Sequence, residues 1–320
     1  MLDYRLVEAV AAVIREGGFE RAARVLHLTQ SAVSQRVKAL EDQLGTVLVV
    51  RATPARATDE GRRLLAHCDK VGLLETDLAV ALRPEGGAGG ASDSPDAETS
   101  DIPHIPWTTL PVAVNADSLA TWFPDAVAPF LRAERALLDL SVDDQERTHL
   151  LLRDGHVAAA VSTRAAAVQG CRCLPLGRVD YLCLAAPHFA AQWFPAGLTE
   201  AALCRAPAVI FNRADEVHHQ FLRSLLPSAA SFDRIARSLP LHYIPSSERF
   251  VDVVAQGLAY GMIPLPQARQ HLADGRLIDL APGHAVPIRL YWHCWGLRTR
   301  LLDALTHHVV SHAQQVLAQE

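Results

Sequence analysis

Between Arg83 and Pro106 the chain runs Pro-Glu-Gly-Gly-Ala-Gly-Gly-Ala-Ser-Asp-Ser-Pro-Asp and onward, with no apolar periodicity. Such a tract buries too little surface to offset its ordering entropy, so it predicts a flexible linker and a domain boundary. Before it, from Leu2 to Leu82, apolar residues recur at helical spacing, broken only at Val47 to Ala57 by a β-branched run and Thr53-Pro54. That pattern predicts helices interrupted by a short hairpin. After it, short apolar strands alternate with helical stretches, the signature of an α/β module with a mainly parallel sheet covered on both faces. The expected strands are Leu110 to Val114, Leu137 to Val142, Val157 to Val161, Tyr181 to Ala185, Ala208 to Phe211, Leu241 to Ile244, Met262 to Leu265 and Ile288 to Trp292. A helix from Leu119 to Leu131 and a closing helix near Arg298 to Leu317 complete the pattern.

The 320 residues suffice for roughly two domains at about 150 residues each. Half are hydrophobic and a fifth charged, which excludes wholesale disorder and a collagen-like fibre. No run approaches the ~18 apolar residues of a membrane span, and the start lacks the segments of a secretory signal. A cytoplasmic protein with no membrane partner is expected. Cysteines 68, 171, 173, 183, 204 and 294 contain no CxxC pair, so reduced thiols are expected. The net charge of -5 is unevenly spread: residues 1 to 63 hold ten Lys or Arg against eight acids, leaving the remainder at -7. A mildly basic head on an acidic body points only weakly to a polyanion.

Within the head, Phe19 to His27 reads as a short helix, Leu28-Thr29-Gln30 as a tight turn and Ser31 to Leu44 as a second helix. Val33, Val37, Leu40 and Leu44 fall on one face and are expected to point inward. Ser31, Ser34, Gln35 and Lys38 fall on the other, an uncharged hydrogen-bonding stripe, with Gln30 before it, ending in one cation. Gln can pair bidentately with adenine, Ser lets a helix approach base edges, and Lys can reach guanine or phosphate. An ordinary solvated helix face has the same composition. Leu48 to Arg51 and Arg56 to Thr58 bracket the Pro-containing turn as a wing, which places Arg51 and Arg56 to touch the backbone or minor groove of double-stranded DNA.

Thr58 followed by Asp59 and Glu60 is an N-cap with acids in the first turn. The helix it starts, roughly 36 Å long, carries Leu64, Cys68, Val71, Leu74, Leu78 and Leu82 as a seam. So narrow a seam fits a second copy of the same helix, although packing within its own domain would also use it. Two-fold pairing would set the two heads ~34 to 36 Å apart, about one duplex turn.

Phe19-Glu20-Arg21-Ala22-Ala23, Leu28 through Val37, Leu40-Glu41, Leu44-Gly45 and Val50-Arg51 resemble the winged helix-turn-helix of LysR-type transcriptional regulators. Further on, Asn115 through Leu119, Trp122, Asp180-Tyr181, Phe194-Pro195, Ala206-Pro207-Ala208, Ser246-Ser247-Glu248 and Leu290 through His293 are similar to the ArgP/LysG branch, regulators of basic amino-acid export. The resemblance spans nearly the whole chain except residues 84 to 106. It implies an all-α winged helix-turn-helix head joined to an α/β, two-lobed, periplasmic-binding-protein-like effector module. The implied division is 1–58 for the head, 59–83 for a dimerising linker helix, 84–106 for the flexible linker, 107–164 with 267–320 for one effector subdomain, and 165–266 for the other. Crossovers near Thr163 to Ala166 and Pro264 to Gln267 are the implied hinges. The implied partners are a small effector such as lysine or arginine, a second copy through the linker helix with assembly to a tetramer, and RNA polymerase.

The residues themselves supply an effector site. Val112-Ala113-Val114 runs into Asn115-Ala116-Asp117-Ser118, a strand-to-helix turn with free N-H groups and a Ser118 hydroxyl for an anion. Simple helix capping is the other use of that turn. Ile244-Pro245-Ser246-Ser247-Glu248 is a second such turn, and Ser162 and Phe211 lie at strand ends, where α/β modules bind ligands. A basic ligand needs carboxylates, for which Asp143, Asp144, Asp117, Asp215 and Glu248 are candidates; each also reads as a surface charge or cap. Asn212 stands where similar proteins carry an acid. The sequence holds no G-x-S-x-G, P-loop or G-x-G-x-x-G after a strand, so an enzyme is not expected. Neither His308/His312 nor His218-His219 has the partners of a metal site, and no cofactor is expected. A solute-binding protein on the same module and a sequence-tolerant nucleoid protein are the alternatives.

Overall fold

The computed structural model describes residues 2–82, 107–143, 148–226 and 228–319. The proposed linker at 84–106 therefore lies outside the described residues, as does Asp144.

The head packs α1 (Tyr4–Arg15), α2 (Phe19–Val25) and α3 (Gln30–Leu44), followed by the hairpin β1 (Val49–Val50) and β2 (Arg56–Ala57). Thr29 caps α3, its hydroxyl accepting from the Ala32 N–H at 3.2 Å. Val33, Val37 and Leu40 are fully buried beside Val7, Val10 and Val13 of α1. Leu44, expected inside, is 42% exposed. It is the last residue of α3, and Gly45, in the left-handed region at φ +67°, turns the chain away there.

From Thr58, whose hydroxyl accepts from the Gly61 N–H, α4 (Asp59–Ala81) runs 23 residues, about 34 Å. Its seam does not behave as one surface. Leu64 and Cys68 pack on the head, whereas Ala66 and Leu73 join the core of the α/β module. Only the far end, with Leu74 at 45% and Leu78 at 57% exposure, remains open. The apolar residues at 66 and 73 lie off the 64-68-71 line, so α4 presents two faces to its own chain before its third becomes available.

The module opens with β3 (Thr108–Asn115), α5 (Ala116–Ala120), α6 (Phe123–Ala133), β4 (Ala136–Asp143), α7 (Thr148–Arg153) and β5 (Ala159–Ser162). The helix expected over Leu119 to Leu131 is thus two: Thr121 leaves helical geometry and Pro124 sits in the first turn of α6. The middle is β6 (Cys171–Ala185), α8 (Pro187–Trp193), α9 (Glu200–Leu203), β7 (Ala208–Ile210), α10 (Val217–Leu225), α11 (Ala229–Ser238), β8 (Leu241–Tyr243), α12 (Ser247–Ala255) and β9 (Tyr260–Pro264). The chain closes with α13 (Leu265–Ala273), β10 (Ile278–Asp279), β11 (Val286–Trp295) and α14 (Arg300–Val316).

The sheet runs β4-β3-β5-β11-β6-β9-β7-β8, with β10 on β6. Its two ends are parallel, β4-β3-β5 and β9-β7-β8, as alternating strands and helices require. The middle corrects the expectation of a mainly parallel sheet. β11 is antiparallel to β5 and β6, and β6 to β9, so the two long strands tie the halves together. Their register shifts between Leu290 and Tyr291, opposite Pro175 and Gly177. Gly177 sits at φ +133°, and a Cβ there would lie 2.8 Å from the Leu317 side chain. On one side the core centres on Trp292, Phe123 and Phe130. Trp292 donates its indole N–H to Thr306 at 3.1 Å, satisfying a fully buried donor. The same cluster continues into the other half through Phe189, Phe221 and Tyr260, where a second, smaller one gathers around Val209, Phe250, Val254 and Ile263.

Candidate functional sites

In the head, α3 turns Gln30, Ser31, Gln35 and Lys38 outward and leaves Ser34 half-buried, opposite the buried Val33-Val37-Leu40 face. Arg51 and Arg56, on the hairpin, are exposed as well. The structure therefore brings six of the seven nominated residues onto exposed parts of one helix and its neighbouring wing, with Ser34 half-buried among them. Glu41 fixes their relation. Its Oε1 accepts from the backbone N–H groups of Leu48 at 2.8 Å and Val49 at 3.2 Å, pinning the wing to α3. Thr58 donates to the Val47 carbonyl at 2.7 Å and so fastens the other side to α4. The Arg51 guanidinium lies 5.3 Å from the centre of the Phe19 ring, which holds the cation beside α2. The positioning role of Glu41 was not readable from the sequence, because its partners are backbone groups seven and eight residues away.

In the module, a cleft is lined by Asn115 and Asp117 from the end of β3 and α5, Tyr181 from β6, and Ser247 and Gln267 from α12 and α13. Phe211, Val217, Phe250 and Met262 supply its apolar wall, and Asp215 a second carboxylate. It is narrow, about 50 Å³. Asp117 stands at its centre: Tyr181 donates its phenol O–H to one oxygen at 2.5 Å and Ser247 its hydroxyl to the other. Gln267 donates its amide to the Ser247 oxygen at 2.9 Å. Asp215 accepts the backbone N–H of Phe211 at one oxygen and of Val217 at the other, both at 3.0 Å. Asn115 and Ser118 are 4% and 2% exposed. Among the described residues neither the Asn115 side-chain oxygen nor the Ser118 hydroxyl has a hydrogen-bond partner. Asn115 lines the cleft and Ser118 does not, so of these two atoms the Asn115 oxygen is the position for a ligand to satisfy.

The remaining nominated residues are placed differently. Ser246 caps α12, accepting from the Arg249 N–H at 3.4 Å, and Glu248 faces solvent, so of that turn only Ser247 lines the cleft. Ser162 is fully buried at the end of β5, where its hydroxyl accepts from the Arg164 N–H at 3.3 Å. Asp143 pairs across the sheet with Asn115. Tyr181 and Gln267 were not nominated. Tyr181 is one residue beyond Asp180 on a strand, and Gln267 lies in the first turn of α13; neither has a local signal for a role in a site. Among the described residues no group of three His, Cys, Asp or Glu could hold a metal ion, and no helix is long and apolar enough to cross a membrane.

Residues 4–62 match the bacterial regulatory helix-turn-helix protein, lysR family, and residues 108–318 match the LysR substrate binding domain. The HTH-type transcriptional regulator ArgP of Aeromonas salmonicida is 42% identical over 316 residues, 99% of this chain and 98% of that protein. The crystal structure of ArgP from Mycobacterium tuberculosis superposes with a TM-score of 0.80 at 35% identity, covering 100% of both chains. Full-length LysG of Corynebacterium glutamicum, solved with bound effector Arg, gives a TM-score of 0.73 at 30% identity, covering 99% of this chain and 100% of that one. A helix-turn-helix head with a pinned wing, a two-part ligand-cleft module and matches along almost the whole chain have one source: this protein belongs to the LysR family of bacterial regulatory helix-turn-helix proteins.

Proposed function

We propose that the chain is a transcriptional regulator whose effector is a basic amino acid, arginine or lysine, held in the cleft around Asp117, and that it controls an amino-acid exporter gene. The observation that carries this reading is the charge of the cleft: Asp117 and Asp215 line it, and among the described residues no Lys, Arg or His does. Such a lining favours a cation, and the buried, unpartnered Asn115 oxygen adds an acceptor for an ammonium group. Once released from Asp117, the Ser247 hydroxyl is a donor for the ligand carboxylate. The arginine bound to LysG, a relative of similar length, supports the same class.

Tyr181 and Ser247 donate to the two oxygens of Asp117. A cation that takes over one of these bonds alters the contact between α5 on one side and β6 and α12 on the other. That is the differential interaction a ligand needs in order to shift a conformational equilibrium. Hinges at 163–166 and 264–267 divide the two subdomains in this reading. The exposed end of α4 pairs with a second copy, and dimers assemble to tetramers that set the spacing of two heads on DNA in the cytoplasm and engage RNA polymerase. The seven residues Gln30, Ser31, Ser34, Gln35, Lys38, Arg51 and Arg56 form the DNA-reading face. Thermal shift of the full-length protein against the twenty amino acids tests the effector class: a rise confined to the basic ones is expected, and a flat response or a preference for acidic or apolar ones would reject it.

A further inference from the structure

A second cavity, about 220 Å³, lies where α4 meets the α/β module and shares no lining residue with the Asp117 cleft. From α4 it receives Arg63 and Lys70, two turns apart on one face; from the module it receives Arg153, Asp154, Gln169 and Trp295. Arg153 and Asp154 neutralise each other, with Nε donating to the carboxylate at 2.8 Å. Neither Arg63 nor Lys70 forms an ion pair among the described residues. The Lys70 ammonium is held 5.0 Å from the centre of the Trp295 ring, so its position does not depend on an acid. The lining thus carries a formal surplus of two positive charges, with the exposed Gln169 amide as a neutral donor.

We propose that this cavity is a binding site for a dianionic oxyanion, inorganic phosphate or a small phosphomonoester, that bridges the linker helix to the effector module. Arg63 offers a planar fork to two phosphate oxygens, while Lys70 supplies a point charge. The buried Trp295 and Leu152 form the back wall, which suits a compact group better than an extended chain. The walls approach closely beside the cavity. Gly155, at φ +77°, has no room for a Cβ, which would lie 2.7 Å from the Ala66 Cβ of α4. A bound oxyanion would therefore act across the junction through which α4 connects head and module, separately from the amino-acid cleft.

Titration calorimetry on the DNA-free full-length protein, at fixed ionic strength in a non-phosphate buffer, tests the site. Inorganic phosphate and methyl phosphate are the two probes: saturable binding of phosphate alone assigns the free ion, and equal or tighter binding of the ester assigns a phosphorylated metabolite. Arg63→Gln and Lys70→Gln are each expected to weaken binding at least about tenfold, the loss of one charge-assisted contact. Arg205→Gln, an exposed cation on another face, is expected to leave it unchanged. Saturating arginine is expected not to displace the phosphate. No saturable heat with either probe, full affinity in both α4 variants, or displacement by arginine would overturn the proposal.

Discussion

Asp77, near the end of α4, accepts the backbone N–H of Arg300 at 2.7 Å, across 223 positions of sequence. Arg300 is the first residue of α14, so a carboxylate from the linker helix serves as a second cap beside Thr299, where the helix end carries partial positive charge. The Arg300 guanidinium in turn pairs with Glu134, the residue that follows α6. Linker helix, closing helix and α6 are thereby joined at one corner. Asp77→Ala is expected to lower stability by about 1 kcal/mol, typical of a lost helix cap, and to leave arginine binding intact. Arginine should shift operator affinity less in the variant than in the parent. Calorimetry and operator titration on the same preparations separate the two readouts.

The wing depends on a close approach at Gly61. A Cβ there would lie 2.1 Å from the Leu48 carbonyl oxygen. Alanine in place of glycine within a helix ordinarily gains about 1 kcal/mol, but here it meets backbone that cannot rotate aside, and overpacking of this kind costs ~1 to 3 kcal/mol. The clash should win. Gly61→Ala is expected to lower the melting temperature and weaken operator binding, and a stabilised protein with full affinity would show that the wing is not fixed as described.

Sequence reading and backbone binding should come apart in the head. Ser34→Ala with Gln35→Ala is expected to cost about 1 to 3 kcal/mol of discrimination between operator and unrelated duplex. Arg56→Ala should instead weaken binding to both duplexes alike and reduce the salt slope by about one. Titration of both duplexes at several salt concentrations distinguishes the outcomes; unchanged discrimination in the double variant would remove Ser34 and Gln35 from the reading face.

Burial pushes the His218 imidazole from 6.5 down to about 4, and its Nε2 lies 3.5 Å from the Tyr260 hydroxyl. The folded protein therefore keeps His218 neutral where the unfolded chain takes up a proton. Its contribution to stability is present above pH 6.5 and is lost as the pH falls towards 4. Between pH 7 and pH 5 the loss should be roughly 2 kcal/mol. Denaturant midpoints at the two pH values should differ less in His218→Gln than in the parent.

The sequence and the fold agree best where the structure is local. The Val33-Val37-Leu40 spacing, the Thr58-Asp59-Glu60 start and the strand-helix alternation each depend on neighbours within two turns. β6 was legible only over Tyr181 to Ala185, because Pro175, Gly177 and the arginines at 172 and 178 interrupt the pattern of a strand whose pairing with β11 is set more than a hundred residues away. The α4 seam reads as one surface because spacing does not show that the head covers Leu64 and Cys68 while Leu74 and Leu78 stay open. In the cleft, Asp117 and Ser247 were readable from their turns. Tyr181 and Gln267 were not, since their roles depend on contacts 64 and 20 residues distant.

Recognition of a basic side chain by the acids of the Asp117 cleft is tested most directly by calorimetry of the full-length protein with L-arginine and with L-citrulline, which keeps the shape of arginine and lacks its charge. Arginine should bind at least about tenfold more tightly, as a charge-assisted contact to a carboxylate requires. Equal affinity for the two, or binding of neither, would contradict the account.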